Sequence, residues 1–329
     1  MKEFIKKIPY VTTIFNLFYV VVFRRIELIH LGLYTTVRTL KYSKSQNNLE
    51  SWKVSMRVSC HILEKGLTMP ERRLGFGQER VISMANKLLL SRSYIGVQEV
   101  ETAVGIIKEY DRLHKQEQYT LPLKLQYLID QVSALYPEFE NLKQIKSSRE
   151  EFFSENQKTF STFSASRRSI RNFSKKASDQ QIIDSFKLAL NAPAACNRQI
   201  FKCHVFNDKL KIKEILSHQN GNRGFGHLVP QVCVLTVDLR MMGKNEQNDV
   251  YFNAGLFAMN LCYSFHFNKV GCCMLNWAAN PVKDNLLRKA ANIPNEESIA
   301  VIIAFGIPGD QLEIARSNKK KLEDAIVFH

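Results

Sequence analysis

The sequence predicts an α+β protein in two parts, a mostly helical region over residues 1–150 and a helix-and-strand domain over residues 151–329. Three observations carry this. Apolar residues recur at helical spacing through the first part. Residues 138–160 are charged and polar, and read as a linker, extended or helical. From Ser161 onward, helical stretches alternate with short apolar runs.

In the first part, Trp52, Met56, Cys60 and Leu63 share one helical face, and Gly66 can end that helix. Val81, Met84 and Leu88 predict a second helix, and Val104, Ile107 and Leu113 a third. A fourth opens at Pro122 and closes before Pro137, since proline suits a first turn and disrupts an interior. In the second part, Ser178 and Gln181 have capping-box spacing ahead of a helix that ends near Asn191–Pro193. Residues 202–207 alternate like a strand. Residues 232–238, VCVLTVD, form a continuous apolar run that suits a strand covered on both faces. Residues 250–267 are apolar on nearly every side and predict a buried helix. Residues 271–275 and 298–306 predict further strands, with a short amphipathic helix between them.

The chain has 329 residues and a net charge of +15, which favours anionic partners such as phosphorylated cofactors or a lipid surface. Nucleic acid is not expected, because no stretch interleaves aromatic with basic residues. The excess is spread over both parts: 23 basic against 15 acidic residues in 1–150, and 23 against 16 in 151–329. Seven cysteines without a CxxC pair argue against structural zinc or a disulfide framework, and fit a reducing cytoplasm. No metal site is expected. Residues 10–23 form an apolar run flanked by Lys6, Lys7, Arg24 and Arg25. It is shorter than the roughly 20 residues of a spanning helix. A buried helix is the simpler expectation, and peripheral contact of residues 1–46 with the inner membrane face is the alternative.

Four segments could carry chemistry. Arg167, Arg168 and Arg171, with Ser169 between them, place three guanidiniums where a phosphate could be held, or make a solvated basic turn. In NAPAACNRQIF (191–201), small residues are followed by Asn197 and Gln199, whose amides suit the polar edge of a heterocycle or an ordinary turn. GCCMLNW (271–277) could lie along a planar ring or be a core strand. Near the C-terminus, Arg316, Lys319, Lys320 and Lys321 form a second basic cluster.

In this order and spacing, the four segments resemble the nitroreductase family of flavoproteins, over Ser161 to His329. The resemblance implies a central mixed or antiparallel sheet flanked by helices, and a homodimer with FMN at its interface. It implies NAD(P)H as reductant and ping-pong hydride transfer to a small-molecule acceptor. By position, Arg167 would hold the phosphate, with Arg168 and Ser169 in the same segment. Arg171 would sit at the pyrimidine edge and stabilise charge on the reduced ring. Asn197 and Gln199 match the loop near the flavin and the subunit interface. Met274, Leu275 and Asn276 match the segment that lies along the ring by backbone contacts, and Arg316 and Lys319 the C-terminal phosphate contacts. Ile200 and Phe201 stand where the family often has Pro-Trp, which bears on substrate more than on flavin. No side-chain nucleophile is required, so Cys196, Cys272 and Cys273 are expected to be buried, inert thiols. His227 and His266 are expected to be structural, with proton donation the alternative.

Within the first part, His61, Glu64 and Lys65 lie one turn apart, ahead of a basic loop holding Gly66, Pro70, Arg72, Arg73, Gly75 and Gly77. An exposed helix end with a salt bridge is the simpler expectation, and a phosphate- or substrate-binding loop the alternative. The competing reading of the whole chain is a flavin-fold scaffold without redox turnover, serving a membrane-linked, surface-polysaccharide biosynthetic system.

Overall fold

The computed structural model describes residues 24–43, 49–90, 98–243 and 246–329. The apolar run at 10–23 lies outside the described residues. Five helices come first: α1 (Arg24–Ser43), α2 (Leu49–Leu67), α3 (Gln78–Leu90), α4 (Gln98–Gln116) and α5 (Leu123–Leu135). Then follow β1 (Ile145–Ser148), α6 (Arg149–Phe152), α7 (Phe160–Ser166), β2 (Phe173–Lys175), α8 (Asp179–Ala189), β3 (Phe201–Phe206), α9 (Lys209–Ser217) and β4 (Gln231–Asp238). The chain ends with α10 (Asp249–Phe267), β5 (Gly271–Asn276), α11 (Pro281–Ala291), β6 (Glu297–Pro308) and β7 (Gln311–Ile314).

Helices α2 to α5 close around one apolar core. Met56, Cys60 and Leu63 of α2 meet Val81, Met84 and Leu88 of α3, and Val104 and Ile107 of α4. These are the positions the helical spacing selects. Pro122 caps α5, and the helix stops at Leu135, ahead of Pro137. The loop after α2 is held by His114. Its Nε2 accepts from Gly75 N at 2.9 Å, and its Nδ1 lies 2.7 Å from Tyr110 O. Accepting at Nε2 leaves the proton on Nδ1, and burial lowers the pKa of this ring. Helix α1 stands apart from this core, with Ile26, Ile29, Leu33, Val37 and Leu40 all exposed.

The main sheet is antiparallel, in the order β2-β6-β4-β3, with β5 also paired to β6. Strand β4 explains why its sequence is apolar throughout. Val232 and Val234 enter one core with Ile212, Ile215 and Leu287 of α9 and α11. Cys233, Leu235 and Val237 enter the other, with Phe257, Leu261 and Phe265 of α10. Alternate side chains thus point to two covered faces. The Ser178 capping box forms as expected, with Gln181 N donating to Ser178 Oγ at 3.2 Å. Residues 138–160 depart from the linker expectation. They contain β1, which pairs with β7 from Ile145↔Ile314 to Ser148↔Gln311.

Phe265 is fully buried, and its ring stacks on Phe305 at 4.8 Å, between α10 and β6. Phe265→Ala should cost about 3–5 kcal/mol through lost burial and a cavity, measured by chemical denaturation of the two proteins side by side. A loss under about 1 kcal/mol would show that this contact does not tie α10 to the sheet.

Candidate functional site

The segment after α7 is clamped to β5 by backbone. Ser169 forms a parallel bridge with Cys272, and Ile170 N donates to Cys272 O at 2.9 Å. Ile170 is buried in the core, so its neighbours Ser169 and Arg171 leave on the opposite side of this extended stretch. The Nε atoms of Arg167, Arg168 and Arg171 are all buried and have no hydrogen-bond partner. Arg168 is satisfied only in part, with Nη1 donating to Ala165 O at 2.5 Å and Arg167 O at 3.2 Å. Buried cationic donors without acceptors are unfavourable unless an anion completes them. Three in five residues suit a phosphorylated, electron-rich group such as FMN.

Arg171 opens into a cavity of about 460 Å³, in the size range of small-molecule sites. One wall is β5 and its continuation, Met274, Leu275, Asn276 and Trp277. The other is α2, which contributes His61, Ile62 and Lys65. The turn after α9 closes one end, with Lys65 Nζ donating to Gly221 O at 2.7 Å and Gln219 Nε2 to Asn276 O at 2.9 Å. Burial, then the charges of Arg171 and Lys65, lowers the pKa of His61. Burial, then Arg171, lowers that of Lys65.

The structure brings Arg171, Met274, Leu275 and Asn276 to one cavity, with Ser169 beside them on the same clamp. It does not bring the other sequence-selected residues there. Asn197 and Gln199 lie on a loop anchored to α10 by Ala195 N donating to Asn253 Oδ1 at 2.8 Å. Cys196, Asn197 and Gln199 all have positive φ, at 51°, 54° and 50°, and this turn leaves Cys196 exposed, against the expected burial that Cys272 and Cys273 do show. Such backbone is uncommon outside glycine and is sustained only by its surroundings. Arg316 Nε donates to Lys143 O at 2.7 Å. Lys319 lines a smaller cavity of about 220 Å³, with Glu64 and Thr102.

The cavity also holds Ile62, His218, Gln219, Gly221 and Lys283, which belong to none of the four segments. The spacing of His61, Glu64 and Lys65 did mark the place. Among the described residues, the expected salt bridge at an exposed helix end does not form there. Glu64 is buried and accepts from Ser317 N at 3.2 Å, while Lys65 turns into the cavity.

His266 is structural in this arrangement. It is buried, its Nε2 lies 2.8 Å from Ser166 Oγ just ahead of Arg167, and Phe152 and Phe153 surround its ring. Burial, aided by Arg167 and Arg168, lowers its pKa to about 4. An unfolded histidine titrates near 6.5. The unfolded chain therefore binds the extra proton first, and stability should fall as pH drops from about 6.5 toward 4. Urea unfolding at pH 7 and pH 5 should show this loss in the native protein, and a smaller one in His266→Gln. An equal loss in both would assign the pH dependence elsewhere.

Residues 165–307 match the nitroreductase family. No curated protein matches the chain. Among solved structures, an FMN-dependent nitroreductase of Clostridium difficile R20291 is 20% identical, over 49% of this chain and 92% of its own, with a TM-score of 0.41. A nitroreductase family protein of Streptococcus pneumoniae TIGR4 is 16% identical, over 52% of this chain and 100% of its own, with a TM-score of 0.45. One from Clostridium novyi NT is 18% identical, over 46% and 86%, with a TM-score of 0.42. The C-terminal part of this protein, residues 165–307, is a nitroreductase-family oxidoreductase domain.

Proposed function

We propose that this protein is an FMN-dependent oxidoreductase that takes reducing equivalents from NAD(P)H and passes them to a small-molecule acceptor. The observation that carries this is the three buried Nε atoms without a hydrogen-bond partner at Arg167, Arg168 and Arg171, on a segment clamped to β5, with Arg171 opening into the cavity that β5 lines. When bound, FMN would supply hydride chemistry in both half-reactions, the second substrate replacing the first. The chain's own residues would bind and tune it. Arg167, with Arg168 and Ser169, would hold the phosphate through charge-assisted hydrogen bonds. Arg171 would face the pyrimidine edge and favour negative charge there. Met274, Leu275 and Asn276 would present backbone to the ring. Arg316 and Lys319 would be secondary phosphate contacts, given their other partners. The proposal treats residues 1–150 and 151–329 as two domains.

Asn197 and Gln199 would serve the flavin of a second subunit. Supporting this, α10 exposes Tyr251 and Phe252 near that loop, along a groove that also includes Pro193 and Met259. Peripheral contact of residues 1–46 with an anionic membrane is supported by the apolar residues α1 exposes, on the same helix as Arg38 and Lys41. Among the described residues, no helix is long and apolar enough to cross a membrane.

The flavin reading is tested by the visible spectrum and by chromatography of heat-released cofactor. Arg167→Ala and Arg171→Ala should each weaken FMN binding by about ten- to a hundredfold, the effect of one charged hydrogen bond. Unchanged FMN affinity in both variants would sink the placement. FMN retained without NAD(P)H oxidation would favour the scaffold reading. Sedimentation tests the assembly: a particle of twice the 38.0 kDa chain mass is expected, which pellets with anionic but not neutral vesicles. A monomer that ignores both would remove the two assembly proposals.

A further inference from the structure

Helix α2 belongs to the helical half, outside the family-matched residues 165–307, yet it forms one wall of the cavity. Every ionisable side chain that lines this cavity, apart from the thiol of Cys273, is a cation or an imidazole: Arg171, Lys65, Lys283, His61 and His218. Among the described residues, no Asp or Glu lines it. Among the described residues, neither Lys65 nor Lys283 has a carboxylate partner. Lys65 is half-buried and close to Arg171 and Arg223, both of like charge. Its one hydrogen bond, to Gly221 O, uses one of three ammonium donors and leaves two for the cavity. A flavin ring gains one negative charge at most, and Arg171 on the β5 side is placed to answer it. The cations on α2 and α11 exceed what the ring requires. Trp277 lines the same cavity, and its Nε1 donates to Asp284 at 2.9 Å, which fixes a flat apolar surface beside these charges.

We propose that α2 forms the acceptor side of this cavity, and that Lys65 together with Lys283 selects acceptors carrying a carboxylate or phosphate group. The proposal rests on the flavin reading for the word acceptor, and on the cavity alone for the anion preference. It gives the helical half a direct part in substrate choice.

The test is calorimetric titration of the full-length protein, FMN-loaded and FMN-free, with 4-nitrobenzoate and with 4-nitrobenzamide, which differ in one negative charge. The native FMN-loaded protein should bind nitrobenzoate at least tenfold more tightly. Lys65→Met and Lys283→Met should each reduce nitrobenzoate affinity by about tenfold and leave nitrobenzamide affinity within about twofold. Equal affinity for the two probes, or no binding of either, would overturn the proposal. So would a Lys65→Met effect of equal size on both probes, since a merely structural tether to Gly221 predicts that. NADP⁺ distinguishes a second source of the same charge. If both substitutions weaken NADP⁺ and spare nitrobenzoate, the cations serve the reductant and the proposal is wrong. Failure of the flavin reading registers separately, as a protein that takes up no FMN. Lysine-dependent nitrobenzoate binding in such a protein would still uphold the anion site.

Discussion

Strand β6 is the constraint on which the second half depends. It alone pairs with β2, β4 and β5, and its register with β4 runs without a break from Gln231↔Phe305 to Leu235↔Val301. Fixing β5 against β6 fixes Cys272, and Cys272 in turn holds Ser169 and Ile170 by backbone. The guanidiniums of Arg167 to Arg171 are therefore placed by a chain of main-chain hydrogen bonds rather than by side-chain packing. That arrangement suits a site in which the Nε donors of all three arginines lack partners, since their positions must not depend on contacts they do not make.

Long, strongly patterned elements were legible in the sequence. Helix α10 reads as buried because it is apolar all round, and the two faces of β4 account for VCVLTVD. Strands β1, β2 and β7 were not legible, because three or four residues carry no measurable period. IKSS holds a single apolar residue, and only its partner, far along the chain, makes it a strand. At the site, the arginine segment and β5 were legible as separate pieces, and local pattern could not show which helix faces them. Lys65 was visible as one member of a helical face. Its direction was set by the burial of Glu64 against Ser317, a contact between chain segments that no local spacing encodes. The loop of Asn197 and Gln199 shows the converse. Its residue types are conspicuous in the sequence, while its three positive φ values and its place outside the cavity lining are tertiary facts.

The halves meet through α2, the loop after it and α4 on one side, and β7 with the segment after it on the other. Glu64 receives Ser317, Gln98 donates to Lys319 O at 2.6 Å, and Arg72 pairs with Glu313. These contacts are polar and directional, and Met69, in the loop after α2, adds an apolar one by entering the core of the second half. Lys65 lies one residue from Glu64, which makes the joint and the cavity wall parts of the same helical turn. A shift of α2 along its axis would alter both together.

The β1–β7 ribbon has a consequence for the newborn chain. Strand β1 leaves the ribosome before every strand of the main sheet, and its partner β7 follows all of them. For almost all of the synthesis of the second half, β1 waits with its backbone edge open, a state that invites pairing between molecules. Its composition, with Lys146, Ser147 and Ser148, is that of an edge that resists such pairing. The aggregation-prone sequence sits where the wait is short. Strand β4 follows its partner β3 across the single helix α9, and the apolar β5 and β6 likewise emerge within a helix of each other. Stickiness along this chain is thus ordered by time to partner, with the polar strand bearing the longest delay.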